Sequence, residues 1–185
     1  GTIRNKIIAG YKKSQIYLSL CLIGLIFTLS IMILYVGIST GLATLIGGFN
    51  TEVLPKFIWE YVAIALSSYI FITALAIFVA MLVRAIGGGL PIIIISILFL
   101  TMFGTIHSMA TAEFDPVTYQ TITKNTPLMF INPLYVIGSF SISSLLGDLF
   151  TINNYQFLSG LISPIAWSIV LTVLGVLIFN KRDVK

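Results

Sequence analysis

The side chains that could do chemistry in this chain are few and scattered. His107 is the single histidine, and the carboxylates of Glu113 and Asp115 follow it within eight positions. One imidazole and two carboxylates could bind a metal ion, but metal sites need several convergent ligands, and this spacing is loose. The pattern therefore favours a solvated helix end over a metal site.

A glycine-rich turn is the second candidate, because glycine loops can hold phosphates. The triplet Gly87-Gly88-Gly89 lacks the Lys-Ser/Thr pair of a P-loop and follows no predicted strand. Since Pro91 suits the first turn of a helix, the triplet predicts a tight turn before one. No Walker A pattern occurs anywhere in the sequence, so we predict no cofactor and no enzyme activity in this chain. Cys21 is the only cysteine and gives neither a disulfide framework nor metal spacing.

The composition shows which solvent must surround these residues. The chain has 185 residues, of which 58% are hydrophobic and 9% charged, whereas a soluble domain carries about a quarter charged residues. Such a chain cannot cover its surface with polar groups, so a lipid bilayer is its natural environment. The net charge of +4 is carried by residues that flank apolar runs instead of forming one patch, which argues against a nucleic-acid partner.

Four apolar stretches are long enough to cross about 30 Å of hydrocarbon. They cover approximately residues 16–38, 61–83, 90–106 and 161–179. Glu60 stands where the second stretch begins, close enough to the interface to be solvated. The predicted fold class is an all-α, polytopic membrane protein with four transmembrane helices in a domain of residues 16–185.

The orientation of these spans follows from lysine and arginine in the short loops. With four spans, only Lys56 and Lys124 fall on one side of the membrane. The other side carries eight basic residues: Arg4, Lys6, Lys12, Lys13, Arg84, Lys181, Arg182 and Lys185. The larger set marks the cytoplasm, so we expect both ends of this chain on the cytoplasmic side of the cell membrane.

Residues 128–150 compete for a fifth span. The segment is apolar, but it contains Asn132, Pro133 and Asp148. A fifth span would also move the last basic residues to the outside, against the charge rule. We therefore predict an outer re-entrant or interfacial hairpin, in which the helix breaks at Asn132-Pro133.

The first 15 residues predict an amphipathic helix on the cytoplasmic face. Apolar side chains recur at three- and four-residue spacing at Ile3, Ile7, Ile8 and Tyr11. The four basic residues of this segment lie elsewhere around the helix, where they would meet lipid headgroups or a partner. Gly10 is a position where the helix is expected to weaken or end. A juxtamembrane anchor and a partner-binding helix are both consistent with this pattern.

The same segment resembles a known family. Residues Gly1–Gly10, continued by Ser14–Ser19, are similar to the cytoplasmic helix of type-2 ABC transporter permeases, which docks onto the ATPase subunit. The ending Phe179–Val184 resembles the family's aromatic and charged tail, and Asn132-Pro133 stands where the family has its outer hairpin. The resemblance implies ATPase-contact residues in the first segment: Arg4, Lys6, Ile7, Ile8 and Tyr11.

The resemblance further implies a function. The chain would be the permease subunit of an ATP-driven exporter, paired with a second permease copy or a paralogue and driven by a separate ABC ATPase subunit. Family members usually have six spans, so two would precede Gly1, and residues 11–13 depart from the family's usual Ser-Arg pair. A non-transporting scaffold or sensor component of the membrane is the alternative. An intramembrane hydrolase has little support, because His107 lies at the edge of its span.

Overall fold

The computed structural model describes residues 2–47, 54–83, 89–115, 120–123, 125–139 and 154–181. Helices dominate this part of the chain, together with one short pair of strands. In chain order the elements are α1 Thr2–Ile8, α2 Lys13–Gly47, α3 Leu54–Leu82, α4 Gly89–Ala110, β1 Ala112–Asp115, β2 Gln120–Thr123, α5 Leu128–Ile131, α6 at residues 135–139 and α7 Asn154–Lys181.

Four of these helices are long and apolar enough to cross a membrane, as predicted. The candidate spans are Lys13–Ser39, Trp59–Leu82, Gly89–Ala110 and Asn154–Lys181. Because a helix rises about 1.5 Å per residue, the 35 residues of α2 extend well beyond the thickness of the hydrocarbon layer. The part of the chain that the structure describes therefore contains four candidate spans, which supports an integral membrane protein.

Two helices extend further than their hydropathy indicates. Helix α7 begins at Asn154 and not near residue 161, because its polar first turns are buried in the protein. Ser159 donates its hydroxyl hydrogen to the Gln156 carbonyl at 3.0 Å, which satisfies a polar group away from water. Helix α4 likewise continues past residue 106, where Ser108 donates to the Thr105 carbonyl. Hydroxyls that bond to their own helix thus allow polar residues to extend a span.

The bundle is held together at two ends. Helix α3 packs along α7, and α2 contacts both of them. At the end that carries α1, a buried cluster consists of Ile16, Tyr17 and Phe179, which we call the basal cluster. At the opposite end, a second buried cluster is formed by one residue of α3 and three of the α5–α6 segment: Ile64, Met129, Tyr135 and Val136.

The loop after α4 contains a strand pair that the sequence did not predict. Strands β1 and β2 are antiparallel, with Ala112 opposite Thr123 and Asp115 opposite Gln120. Thr121, Ile122 and Thr123 are all β-branched, and β-branched residues favour strands. The fold is therefore helical with one small hairpin of strands in this loop.

The predicted helix break in the segment 128–150 is present. Helix α5 ends at Ile131, Asn132 has an extended backbone with φ −92° and ψ 112°, and helical structure resumes at Tyr135. Pro133 explains the break, because it has no N–H to donate and its ring clashes with a preceding helical turn. Residues 140–150 of the predicted hairpin lie outside the described residues.

The glycine triplet lies at the start of α4. Gly89 opens the helix and Pro91 stands in its first turn, as the sequence predicts. Gly87 and Gly88 lie outside the described residues, as does Arg84.

Candidate functional site

The first site is the α1–α2 elbow, where the chain turns from the short helix α1 into the first span. Gly10 has φ +88°, a left-handed conformation that glycine adopts without strain, and it ends α1. The backbone N–H of Lys12 then donates to Oε1 of Gln15 at 3.2 Å, which is half of a capping box at the start of α2. The segment 1–15 is thus a short helix, a turn and the first residues of α2.

The structure separates the predicted ATPase-contact residues into two groups. Ile7 is half-buried and packs against the basal cluster. Ile8 is 74% exposed and Tyr11 is 59% exposed, and Lys6 is also exposed. Arg4 belongs to α1, but its side chain lies outside the described residues. Ile7 therefore attaches α1 to the bundle, whereas Ile8, Tyr11 and Lys6 are available to a partner.

The basal cluster connects α1 to the last span. The Tyr17 ring is fully buried and lies against Phe179, with ring centroids 6.3 Å apart. It also lies against the backbone of Gly175, where a Cβ would meet the phenol ring. Beside this contact, Nζ of Lys13 donates to the Asn180 carbonyl at 3.3 Å. The start of α2 and the end of α7 consequently lie at the same end of the bundle, and Ile7 of α1 packs against the basal cluster there.

A cavity of about 360 Å³ lies between α2, α3 and α7. Aliphatic residues dominate its lining, and its threonine hydroxyls are already bonded to helix carbonyls: Thr73 donates to Tyr69 and Thr172 to Ser168. Thr73 also lies 2.7 Å from the Thr28 hydroxyl of α2. Among the described residues that line this cavity none is charged, so its chemistry suits an apolar occupant.

The opposite end of the bundle is organised by the Asn132 amide. Its Nδ2 donates to the Leu100 carbonyl of α4 at 2.8 Å, and its Oδ1 accepts from the Leu134 N–H at 3.0 Å. From α7, Nε1 of Trp167 donates to the Ile131 carbonyl at 2.7 Å. Two side chains thus satisfy backbone groups on both sides of the helix break, as apolar surroundings require.

Two glycines bring α4 and α6 into backbone contact. A Cβ on Gly104 would lie 2.9 Å from the Tyr135 Cα, and a Cβ on Gly138 would meet the Thr101 carbonyl. The Thr105 hydroxyl donates to the Gly138 carbonyl at 2.9 Å across this contact. We call this contact, with Asn132, the hairpin junction. Small residues and hydroxyls are the usual means by which helices approach closely in a membrane.

His107 takes part in the hairpin junction. Its Nδ1 lies 3.0 Å from the Tyr135 hydroxyl, and its ring meets the tyrosine ring edge-on at 5.6 Å. The phenol and the imidazole can each donate or accept in this hydrogen bond, depending on the imidazole tautomer. The expected solvated helix end is instead a half-buried contact. In the part of the chain that the structure describes, no three His, Cys, Asp or Glu residues come together as metal ligands.

Sequence reasoning missed most of the residues that join the helices. The sequence predicts for Ser67 only a packing or pathway role. In the structure its hydroxyl donates to the Gly160 carbonyl of α7 at 2.7 Å. Trp167 resembles an interface anchor, and its indole donates to the Ile131 carbonyl of α5 instead. Tyr17 is a further residue that sequence reasoning missed. A tyrosine in the first turns of a span with a glycine near the end of another is the only sequence signal for that contact.

The described residues form attachments and an apolar cavity, with no grouping of nucleophile, base and acid. A short external helix is attached to the basal cluster at one end of the bundle, and a broken segment contacts α3, α4 and α7 at the other. No family model, no curated protein and no solved structure matches this chain.

Proposed function

We propose that this chain is the permease subunit of an ATP-driven ABC exporter, which couples to a separate ATPase subunit through α1. The observation that carries the proposal is the difference in exposure between two neighbouring isoleucines of α1. Ile7 packs on the basal cluster, while the neighbouring Ile8 stands 74% exposed on the outside of the molecule. An exposed isoleucine beside basic residues is suited to a protein partner, since apolar anchors with a charged rim are common at interfaces.

Because α1 packs on the basal cluster, a movement of α1 would be transmitted to the spans. A push on α1 reaches Ile16 and Tyr17 of α2 through Ile7, and it reaches α7 through Phe179. Because Tyr17 lies against Gly175 without an intervening side chain, α2 and α7 would move together. Rigid-body rocking of helices is a common switching mode, and the cavity between α2, α3 and α7 would change shape with it.

The proposal includes the membrane arrangement. Both ends of this chain would face the cytoplasm, because eight of the ten basic residues then lie inside. The segment from residue 128 to 150 would enter the outer leaflet and return, with its break at Asn132-Pro133. A second permease copy or paralogue would complete the pathway, and the protein would reside in the cell membrane.

The test first asks whether a neighbouring reading frame encodes a soluble protein with a Walker A motif, which then serves as the candidate ATPase. Detergent-solubilised permease is used to pull down the ATPase, with wild type compared with the single substitution Ile8→Asp. A charge at the centre of an apolar contact costs several kcal/mol when it is left unpaired, so recovery of the ATPase should fall more than tenfold.

Two controls make the result specific. Leu45→Asp places the same charge on a residue of α2 that is 83% exposed, lies beyond the candidate span Lys13–Ser39 and is remote from α1, and it should leave ATPase recovery unchanged. Ile7→Val keeps the attachment of α1 and should also bind. Unchanged recovery with Ile8→Asp, at matched expression, would reject α1 as the ATPase contact and favour the alternative of an anchor in a scaffold or sensor protein.

A further inference from the structure

The α1–α2 elbow contains an open pocket, which shares Lys6 and Tyr11 with the residues available to a partner but does not include Ile8. The pocket has a volume of about 440 Å³ and is lined by Lys6 of α1, Tyr11 of the turn, and Gln15, Ile16 and Ser19 of α2. Residues on an α-helix are separated by about 100°, so Lys6 and Ile8 lie on opposite flanks of Ile7. The pocket is therefore on the other side of α1 from the exposed isoleucine.

The polar groups in this pocket are mainly hydrogen-bond donors. Lys6 brings an ammonium group and Tyr11 a phenol. Oε1 of Gln15 already accepts from the Lys12 N–H, which leaves its NH₂ group as the part that can serve a ligand. Ser19 donates to the Ile16 carbonyl at 2.8 Å and so adds little. A set of donors with one positive charge is complementary to an anion rich in acceptor oxygens, such as a phosphate.

The residues around the pocket add positive charge to that of Lys6. Residues 1–51 contain four basic residues and no aspartate or glutamate, the first acidic residue being Glu52. Lys12 is exposed next to the pocket, and Lys181 is exposed at the end of α7, near the start of α2. Positive charge at the end of a span attracts anionic lipid headgroups to the membrane surface.

The position of the pocket indicates the source of the phosphate. It opens between α1 and the first turns of α2, beside the start of the candidate span Lys13–Ser39. Leu18 and Leu22 lie just beyond it on α2 and are exposed, so acyl chains would have apolar surface to cover. We propose that the elbow pocket binds the headgroup phosphate of an anionic phospholipid, whose chains lie along the first span.

The experiment counts lipids bound to the purified full chain. The protein in nonionic detergent is titrated with phosphatidylglycerol and, separately, with phosphatidylcholine, and native mass spectrometry gives the bound fraction at each concentration. Wild type should prefer phosphatidylglycerol. Lys6→Gln should weaken phosphatidylglycerol binding about fivefold, with little change for phosphatidylcholine, while Lys6→Arg should retain it.

Lys181→Gln is the matched control, because it removes one positive charge from the same end of the bundle but outside the pocket. It should weaken phosphatidylglycerol binding by less than about twofold, since only screened long-range attraction is lost. If Lys6→Gln and Lys181→Gln weaken phosphatidylglycerol binding equally, diffuse surface charge explains the binding and the proposed site is overturned. A wild type without preference between the two lipids would also overturn it and favour an acidic protein segment as the occupant. Neither result depends on the ATPase contact at Ile8.

Discussion

Gly175 of α7 lies directly against the buried ring of Tyr17 in α2, so that the tyrosine side chain alone fills the space between the two helices at this point. The contact lies at the end of the bundle that carries α1. It joins the first and last described spans, and any side chain at position 175 would require the Tyr17 ring or the helices to shift.

The first prediction follows from this contact. Gly175→Ala should destabilise the protein by about 1–3 kcal/mol, because a methyl group would overlap the Tyr17 ring and force the helices apart. Thermal unfolding in detergent micelles would show the loss as a lower midpoint. Gly37→Ala is the matched control on α2, since a Cβ at that position would meet no heavy atom within 4 Å. Equal midpoints for the two variants would contradict the tight contact.

The second prediction concerns Asn132. Asn132→Ala should cost about 1–3 kcal/mol, because the buried Leu134 N–H loses its partner and the Leu100 carbonyl loses one donor. Asn132→Asp should be at least as harmful, since a carboxylate cannot donate to that carbonyl. Denaturation in mixed micelles measures both variants. Asn180→Ala, at an exposed position, should stay within about 0.5 kcal/mol of wild type, and a similar loss there would remove the special role of Asn132.

The third prediction separates hydrogen bonds between helices from those within one helix. Ser67→Ala removes the bond from α3 to the Gly160 carbonyl and should cost about 0.6 kcal/mol, the average for such bonds in a membrane protein. Ser30→Ala removes a bond only to the Ile26 carbonyl of its own helix, at an exposed position. The same mixed-micelle assay should find Ser30→Ala close to neutral. A larger loss for Ser30→Ala than for Ser67→Ala would contradict the assignment.

Hydropathy was sufficient to predict the four spans, because each crosses a distance that needs about 20 apolar residues. The break at Asn132-Pro133 was also predictable, since proline acts through its own ring and its missing N–H. Both properties are local, so they appear in a short stretch of sequence.

The contacts between spans were not predictable in this way. Ile7 and Ile8 are identical side chains in adjacent positions, and only the packing of α1 decides that one is half-buried and the other exposed. His107 and Tyr135 are 28 positions apart, and nothing in their local sequence brings them together. In an apolar chain the helices have many apolar faces to choose from, so the pattern of hydrophobic residues does not specify which faces meet.

The last prediction tests the topology. The Lys13 to Asn180 hydrogen bond places the start of α2 and the end of α7 at one end of the bundle, and the distribution of basic residues predicts that this end faces the cytoplasm. In a Cys21→Ser background, single substitutions Lys12→Cys, Lys181→Cys and Asn125→Cys provide three exposed positions. A membrane-impermeant maleimide applied to intact cells should label Asn125→Cys, which belongs to the long loop after α4. Lys12→Cys and Lys181→Cys should react only after permeabilisation, and the Cys21→Ser parent should stay unlabelled throughout. Labelling of Lys12→Cys and Lys181→Cys from opposite sides would contradict four spans, whereas labelling of both in intact cells would keep four spans and reverse the orientation.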